Sequence, residues 1–191
     1  MKHLLPILTL CLAGLFPLNV SAASEAYDLQ QDKSSVRFTY TLNGQPAKGS
    51  MPVNSADLQL DFDRLSRSTV RVVLNASRAR TGLIFATEAM RGRSVLNVAN
   101  HPMILFQSTR IIPTAAGATI EGKVTLRGVT RPMQLQARLF RQKGRPKDDL
   151  SLLTILLTGF VNRSEFGASG FSDIVGNRID LRILARIKAV K

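Results

Sequence analysis

Few residues in this sequence have types and spacings that could do chemistry. Asp57, Asp61 and Asp63 form the densest carboxylate group, and such a cluster could in principle hold a hard cation such as calcium through its oxygens. They alternate with Leu58, Leu60 and Phe62, so the simpler reading places all three acids on the wet face of one strand, with calcium second. His101 is the sole histidine outside the N-terminal leader and stands before Pro102; one imidazole makes neither a triad nor a metal site. Cys11 is the only cysteine and lies in that leader, so the remaining chain has no disulfide, thiolate nucleophile or cysteine metal site. No Gly-x-Ser-x-Gly elbow, His-Glu-x-x-His helix, phosphate loop or dinucleotide fingerprint occurs. No catalytic residue, metal or cofactor is therefore expected, and an enzyme acting on a lipid is the weakest of the functional readings.

Large soft side chains are plentiful instead. Phe38, Phe62, Phe85, Phe106, Phe140, Phe160, Phe166 and Phe171 are joined by Met51, Met90, Met103 and Met133, with no tryptophan. Such residues fill ordinary cores, and they also line the interior of small barrels that enclose one ligand. Composition does not separate the two.

The elements that must carry these side chains are strands. Apolar and polar residues alternate in Val36–Tyr40, Leu58–Phe62, Val70–Leu74, Ile104–Ser108, Ile120–Leu126, Met133–Leu139, Leu152–Val161 and Ile179–Ile187, giving eight or nine half-buried strands. Asn43-Gly44, 114–117, Arg127-Gly128, 142–149 and Gly176-Asn177 supply the turn residues between them. Links this short imply antiparallel neighbours. The stretch from Thr81 to Arg91 breaks the period and predicts one short helix, with Thr81 as N-cap and Gly92 as its stop. Strands with no helical layer must cover their own apolar faces, in a sandwich or a closed barrel.

The chain starts Met1-Lys2-His3, continues with an apolar run from Leu4 to Leu18 and reaches Val20-Ser21-Ala22-Ala23, the pattern of an export signal. Residues 1–22 are read as a cleaved signal peptide, with a cut after Ala23 as the second choice, and residues 23–191 as one domain. The location expected from that leader is the periplasm. Lys and Arg number 26 against 13 Asp and Glu, a net charge of +13. The arginines are dispersed, which favours solvated outer faces, and export makes nucleic acid a poor partner; an anionic membrane surface is the sharper alternative. Dimerisation is left open.

Several motifs carry a family resemblance. Residues 122–135, with Lys123-Val124-Thr125-Leu126-Arg127-Gly128-Val129-Thr130-Arg131-Pro132 at their centre, resemble a characteristic hairpin of the YceI-like family of exported lipid-binding proteins. Tyr27-Asp28-Leu29, Leu96-Asn97-Val98, Pro102 with Phe106 and Ser108, and Asn162-Arg163-Ser164-Glu165-Phe166-Gly167 follow in the family's order. Met51 and Val124 depart from the usual residues by apolar exchange. The resemblance implies an all-β fold, an extended lipocalin-like antiparallel β-barrel with one short helix. It also implies an internal channel for a polyisoprenoid, an isoprenoid quinone or a fatty amide. Strand parity and the helix nominate Val36, Phe38, Tyr40, Leu58, Leu60, Phe62, Phe85, Met90, Ile104 and Phe106 as its lining, with Arg91 and Arg93 as candidate headgroup contacts. Around Arg163, the expectation is a loop anchor: Asn162, Arg163 and Glu165 close a barrel end by hydrogen bonds, Phe166 plugs it and Gly167 allows the turn. The competing functional reading is a filled barrel that works as an envelope interaction module through its basic outer face.

Overall fold

The computed structural model describes residues 24–141, 144, 146 and 148–190. The leader, its cleavage site and Cys11 lie outside the described residues, as does part of the 142–149 turn. Eleven strands are seen among the described residues: β1 (Glu25–Leu29), β2 (Ser35–Leu42), β3 (Gln45–Met51), β4 (Val53–Leu60), β5 (Thr69–Asn75), β6 (Arg80–Thr81), β7 (Met103–Thr114), β8 (Gly117–Leu126), β9 (Val129–Arg141), β10 (Leu152–Asn162) and β11 (Arg178–Ala189). One helix, α1 (Ile84–Arg91), joins them.

All pairings are antiparallel, and the sheet closes because β11 pairs both with β2, through Leu181 opposite Phe38, and with β1, through Ile187 opposite Leu29. β1 and β2 act as one barrel stave interrupted by a short 3-10 turn at Gln31–Lys33, and β3 and β4 as a second, bent at Pro52. With β5 continued by β6, and with β7 to β11, eight staves form a closed barrel, so closure and not a sandwich solves the edge problem. Two tight hairpins set the register. Asn43 (φ 49°) with Gly44 (φ 75°), and Arg127 (φ 54°) with Gly128 (φ 77°), have both central residues in the left-handed region, as a type I′ turn requires. Arginine is a poor resident there, and its guanidinium donates to the Val95 carbonyl at 3.1 Å, which ties the hairpin to the segment after α1.

The helix is shorter than the sequence suggests. Thr81 is the last residue of β6, opposite Gly49, and does not cap α1, whose N-cap is Leu83. Thr81 instead receives Leu83 N–H on its hydroxyl, and its own backbone N–H donates to Thr87 Oγ1 at 2.9 Å, so the threonine pair stitches helix to barrel edge. Gly92 ends the helix, as expected. Asp61 also departs from expectation. It is buried rather than on the wet face, and its Oδ1 accepts the backbone N–H groups of Asp63 and Arg64 at 3.1 and 2.7 Å, holding the turn that leads to β5. That local Asx geometry competes with the strand and ends it.

Tyr27 is buried near one barrel end. Its ring meets Phe62 edge-on at 5.8 Å, and its one hydroxyl proton has two acceptors within reach, the Leu150 carbonyl at 3.1 Å and Glu25 at 3.2 Å. Burial, helped by the Glu25 charge, pushes the phenol up to about 12. A phenol whose folded pKa lies above its unfolded value of about 10 stabilises the fold fully below pH 10 and loses that contribution as pH rises towards 12, about 3 kcal/mol in all. Alkaline unfolding followed by circular dichroism should steepen across that window, and the extra pH dependence should disappear in Tyr27→Phe.

Candidate functional site

The strand pleat sends alternate side chains inward, and in β10 the odd positions Leu153, Ile155, Leu157 and Val161 face the axis while Phe160 points out beneath the Arg178 guanidinium, 3.7 Å from its ring. The inward residues leave a cavity of about 480 Å³ along the barrel axis. Small barrels hold a ligand when their interior side chains leave room, and this volume falls within the range of ligand pockets, ~300–1,000 Å³.

The cavity is open partly because two aromatic rings lie against its wall. Phe38 sits directly opposite Gly49, and a methyl on that glycine would fall 2.2 Å from the Phe38 ring and 2.7 Å from the Arg80 carbonyl oxygen. Phe106 uses Gly122 in the same way, with the ring 2.6 Å from where a methyl would stand. Each glycine is a recess that accepts a ring flat on the sheet, so the ring does not cross the axis. Gly49→Ala should push Phe38 into the lumen and strain the β3–β6 pairing, at a cost of about 1–3 kcal/mol. A chemical denaturation midpoint would read the loss, and a crystal structure of the variant would read the narrowed cavity.

All ten residues nominated from the sequence stand on the cavity wall: Val36, Phe38 and Tyr40 from β2, Leu58 and Leu60 from β4 with Phe62 just beyond it, Ile104 and Phe106 from β7, and Phe85 and Met90 from α1. The sequence reading left out the inward faces of β8 to β11, among them Ile120, Leu135, Ile155, Leu157, Leu181 and Ile183, although the same parity rule reaches them. It also left out Phe171, Ile174 and Val175, which line the cavity from an irregular segment that no periodicity marks. Phe140 and Phe160 point outward, and Phe166 is core. Neither Arg91 nor Arg93 is among the described residues that line the cavity. Arg91 is spent on structure, with Nε donating to the Ala79 carbonyl at 3.1 Å and NH1 to Glu88 at 3.1 Å, whereas Arg93 is exposed just past the helix.

Several polar groups on the wall are already occupied. Thr81 serves Leu83 and Thr87, and Ser34 donates to the Gln30 carbonyl while accepting from Arg186 N–H. Arg163, 7% exposed, is the one charged side chain among the described lining residues. Its Nε donates to Gly176 O at 3.0 Å, NH1 to Ala168 O at 2.5 Å and Gly170 O at 2.7 Å, and NH2 to Val175 O at 2.8 Å. No carboxylate is among those partners, and burial lowers its pKa from the ordinary value. Asn162 donates to Glu165 at 2.8 Å, Asn177 Oδ1 accepts Ser164 N–H at 2.9 Å, Phe166 is fully buried and Gly167 turns the chain at φ 69°. The 163–177 connection is thus wound around one guanidinium at the end of the barrel opposite Tyr27. The walls offer a tail an apolar channel, in which the Ser35 and Tyr40 hydroxyls are the remaining side-chain donors among the described lining residues.

Comparison with known proteins agrees with this architecture. The structure of BcnA from Burkholderia cenocepacia superposes with a TM-score of 0.72 at 17% identity, over 83% of this chain and 99% of that one. A polyisoprenoid binding domain from Saccharophagus degradans gives 0.61 at 11% identity, over 87% and 99%. The YCEI protein of Campylobacter jejuni gives 0.60 at 19%, over 75% and 84%. A UPF0312 protein of Yersinia pestis (strain Pestoides F) is 36% identical over 95 residues, and this chain spans about half the length of such curated relatives, 50% of that one. The family model described as the YceI-like domain matches residues 27–187, reaching from β1 into β11, and the chain belongs to that family.

Proposed function

We propose that this protein binds one long apolar lipid inside its barrel and carries or stores it without changing it chemically. The observation that carries this reading is the apolar cavity of about 480 Å³, bounded by inward side chains from all eight staves and by α1. Voids of that size are expensive in an ordinary core. An apolar space this large forgoes the close packing of an ordinary core, which a bound chain would restore. Residues such as Phe38 and Phe106, seated on Gly49 and Gly122, maintain the space instead of filling it. A filled interaction barrel would have no use for those recesses.

The wall chemistry also narrows the ligand. With a wall that is apolar but for a few side chains, the lumen rewards methylenes, at ~0.8 kcal/mol for each one removed from water. A polyisoprenoid, the side chain of an isoprenoid quinone or a fatty amide meets that description, and the Saccharophagus degradans relative is named for binding polyisoprenoid. The leader pattern favours the periplasm as the place where this happens. A titration with an environment-sensitive fluorescent fatty chain tests the reading. Saturable one-to-one binding, displaced by a long-chain polyisoprenol, is expected; emission unchanged on addition of protein would refute it.

A further inference from the structure

The barrel end opposite Tyr27 carries an apolar rim that the fold does not cover. Ile84 is 86% exposed and Phe85 70%, at the first turn of α1, with Leu83 exposed beside them. Across the opening Phe171 and Ile174 are also exposed. These two groups face one mouth, because Phe85, Phe171 and Ile174 line the cavity while presenting surface to solvent. Hydrogen bonds hold the ring of segments together. Asn43 N–H donates to Ile174 O and Gly176 N–H to Thr41 O, joining 171–176 to the β2–β3 hairpin, and Gly170 N–H donates to Ser94 O, joining it to the chain after α1. Thr81, three residues before Ile84, is paired with Gly49 of β3, which places the helix start on the other flank of that hairpin. Phe171 is kept at φ 60°, where a bulky residue is a genuine outlier, so the surrounding bonds hold its ring at the rim against backbone preference.

Cations flank these apolar groups. Lys48 on β3 and Arg80 on β6 alternate with the inward-facing Gly49 and Thr81 and are exposed on the outer wall, Arg80 four residues before Ile84, and Arg93 is exposed after the helix. Glu88 is paired with Arg91, and Asp173 and Glu165 are exposed acids of this barrel end. An apolar tip of leucine, isoleucine and phenylalanine with basic groups just behind it is the pattern of a surface that sinks a short distance into the boundary of a bilayer whose headgroups are anionic. We propose that the protein docks mouth-first on an anionic phospholipid surface through Leu83, Ile84, Phe85, Phe171 and Ile174, with Lys48, Arg80 and Arg93 meeting the headgroups. The cavity would then face its supply of lipid directly, a consequence that rests on the binding function proposed above; the docking itself does not.

Flotation of the exported protein with vesicles of phosphatidylethanolamine and phosphatidylglycerol, against vesicles of phosphatidylcholine, tests this. Binding to the anionic vesicles, weakened by 0.5 M salt and lowered at least tenfold by Ile84→Glu, is expected. Ile84 is outside the cavity wall, so this variant should bind the fluorescent fatty chain as the wild type does. Absence of wild-type flotation, or flotation unaltered by Ile84→Glu, would overturn the docking surface. So would a concentration-dependent dimer that Ile84→Glu converts to monomer, which would assign the rim to a second copy of the chain. If vesicles bind but the fatty chain does not, docking stands and the lipid-binding function fails.

Discussion

Replacing Arg163 with methionine is expected to destabilise the protein by about 3–5 kcal/mol, the largest loss among single substitutions considered for this fold. The side chain that remains has a similar length and no donors, so the carbonyls of Ala168, Gly170, Val175 and Gly176 lose their common partner together. A buried acceptor left unsatisfied costs about 1–3 kcal/mol, and water entering the loosened loop recovers part of the sum. For a domain of this size, 1 kcal/mol moves the melting temperature by about 2–4 °C, so scanning calorimetry should show a drop of about 10 °C. Arg163→Lys should recover little, because a compact ammonium on a flexible stem cannot reproduce a planar fork that reaches four carbonyls. A variant that melts with the wild type would mean that the 163–177 connection is held by Phe166 packing alone.

The second large effect concerns the lumen. Phe38→Arg puts a guanidinium where the ring now lies on Gly49, among Val36, Tyr40 and Leu181, with no acid on the described wall to pair with it. In the ligand-free protein the long side chain can swing towards the mouth and stay hydrated. A bound tail would strip that water, and the penalty for burying an unpaired ion is several kcal/mol even after relaxation. Affinity for the fluorescent fatty chain should therefore fall by at least 100-fold, about 2.7 kcal/mol at ~1.36 per decade, while circular dichroism stays that of the barrel. Leu156→Glu, on the outward side of β10 opposite Leu184 and Arg138, introduces charge on the same sheet and should bind as the wild type does. Equal losses in both variants would mean that charge anywhere on the barrel weakens binding, and that Phe38 has no special place in the lumen.

Much of this architecture is legible in the sequence because a half-buried sheet writes its pleat into residue alternation. β2, β4, β5 and β7 to β11 each carry enough apolar residues at spacing two to declare both the strand and its inner face. β3 does not, and the reason is physical. Its inward positions are Ala47, Gly49 and Met51, and Gly49 is small because a cross-strand ring, Phe38, occupies the space above it. A recess on one strand is the imprint of a large residue on its neighbour, and a reading that takes one strand at a time misses the pair. β6 is two residues long and exists only through Gly49 and Ser50, so no local signal could announce it. The start of α1 was displaced for a related reason, since Thr81 is drawn into that pairing and its hydroxyl is shared with Thr87.

The acids tell the opposite story. Asp61 fits the alternation of Asp57 and Asp63, yet its side chain turns back on the chain to hold two backbone N–H groups, and the strand ends one residue before it. For the channel, parity named wall residues but had no way to say that the walls stand apart. That knowledge required barrel closure and the glycine recesses, both long-range features. The 163–177 connection was legible as an anchor because an arginine between an asparagine and a glutamate, followed by Phe-Gly, offers donors, an acceptor and a left-handed turn within six residues. That its guanidinium would gather carbonyls from 168 to 176, and that Phe171 and Ile174 would come to the mouth, was beyond any local rule.

The decisive measurement is organic extraction of the protein isolated from its own cells without detergent, followed by mass spectrometry and quantification against protein. A lumen built as described should yield close to one molecule of a long-chain apolar lipid per barrel, with Phe38→Arg prepared in the same way yielding almost none. Protein that comes out of its native compartment empty, and that stays empty after incubation with polyisoprenol, quinone and fatty amide, would contradict a lipid-holding barrel.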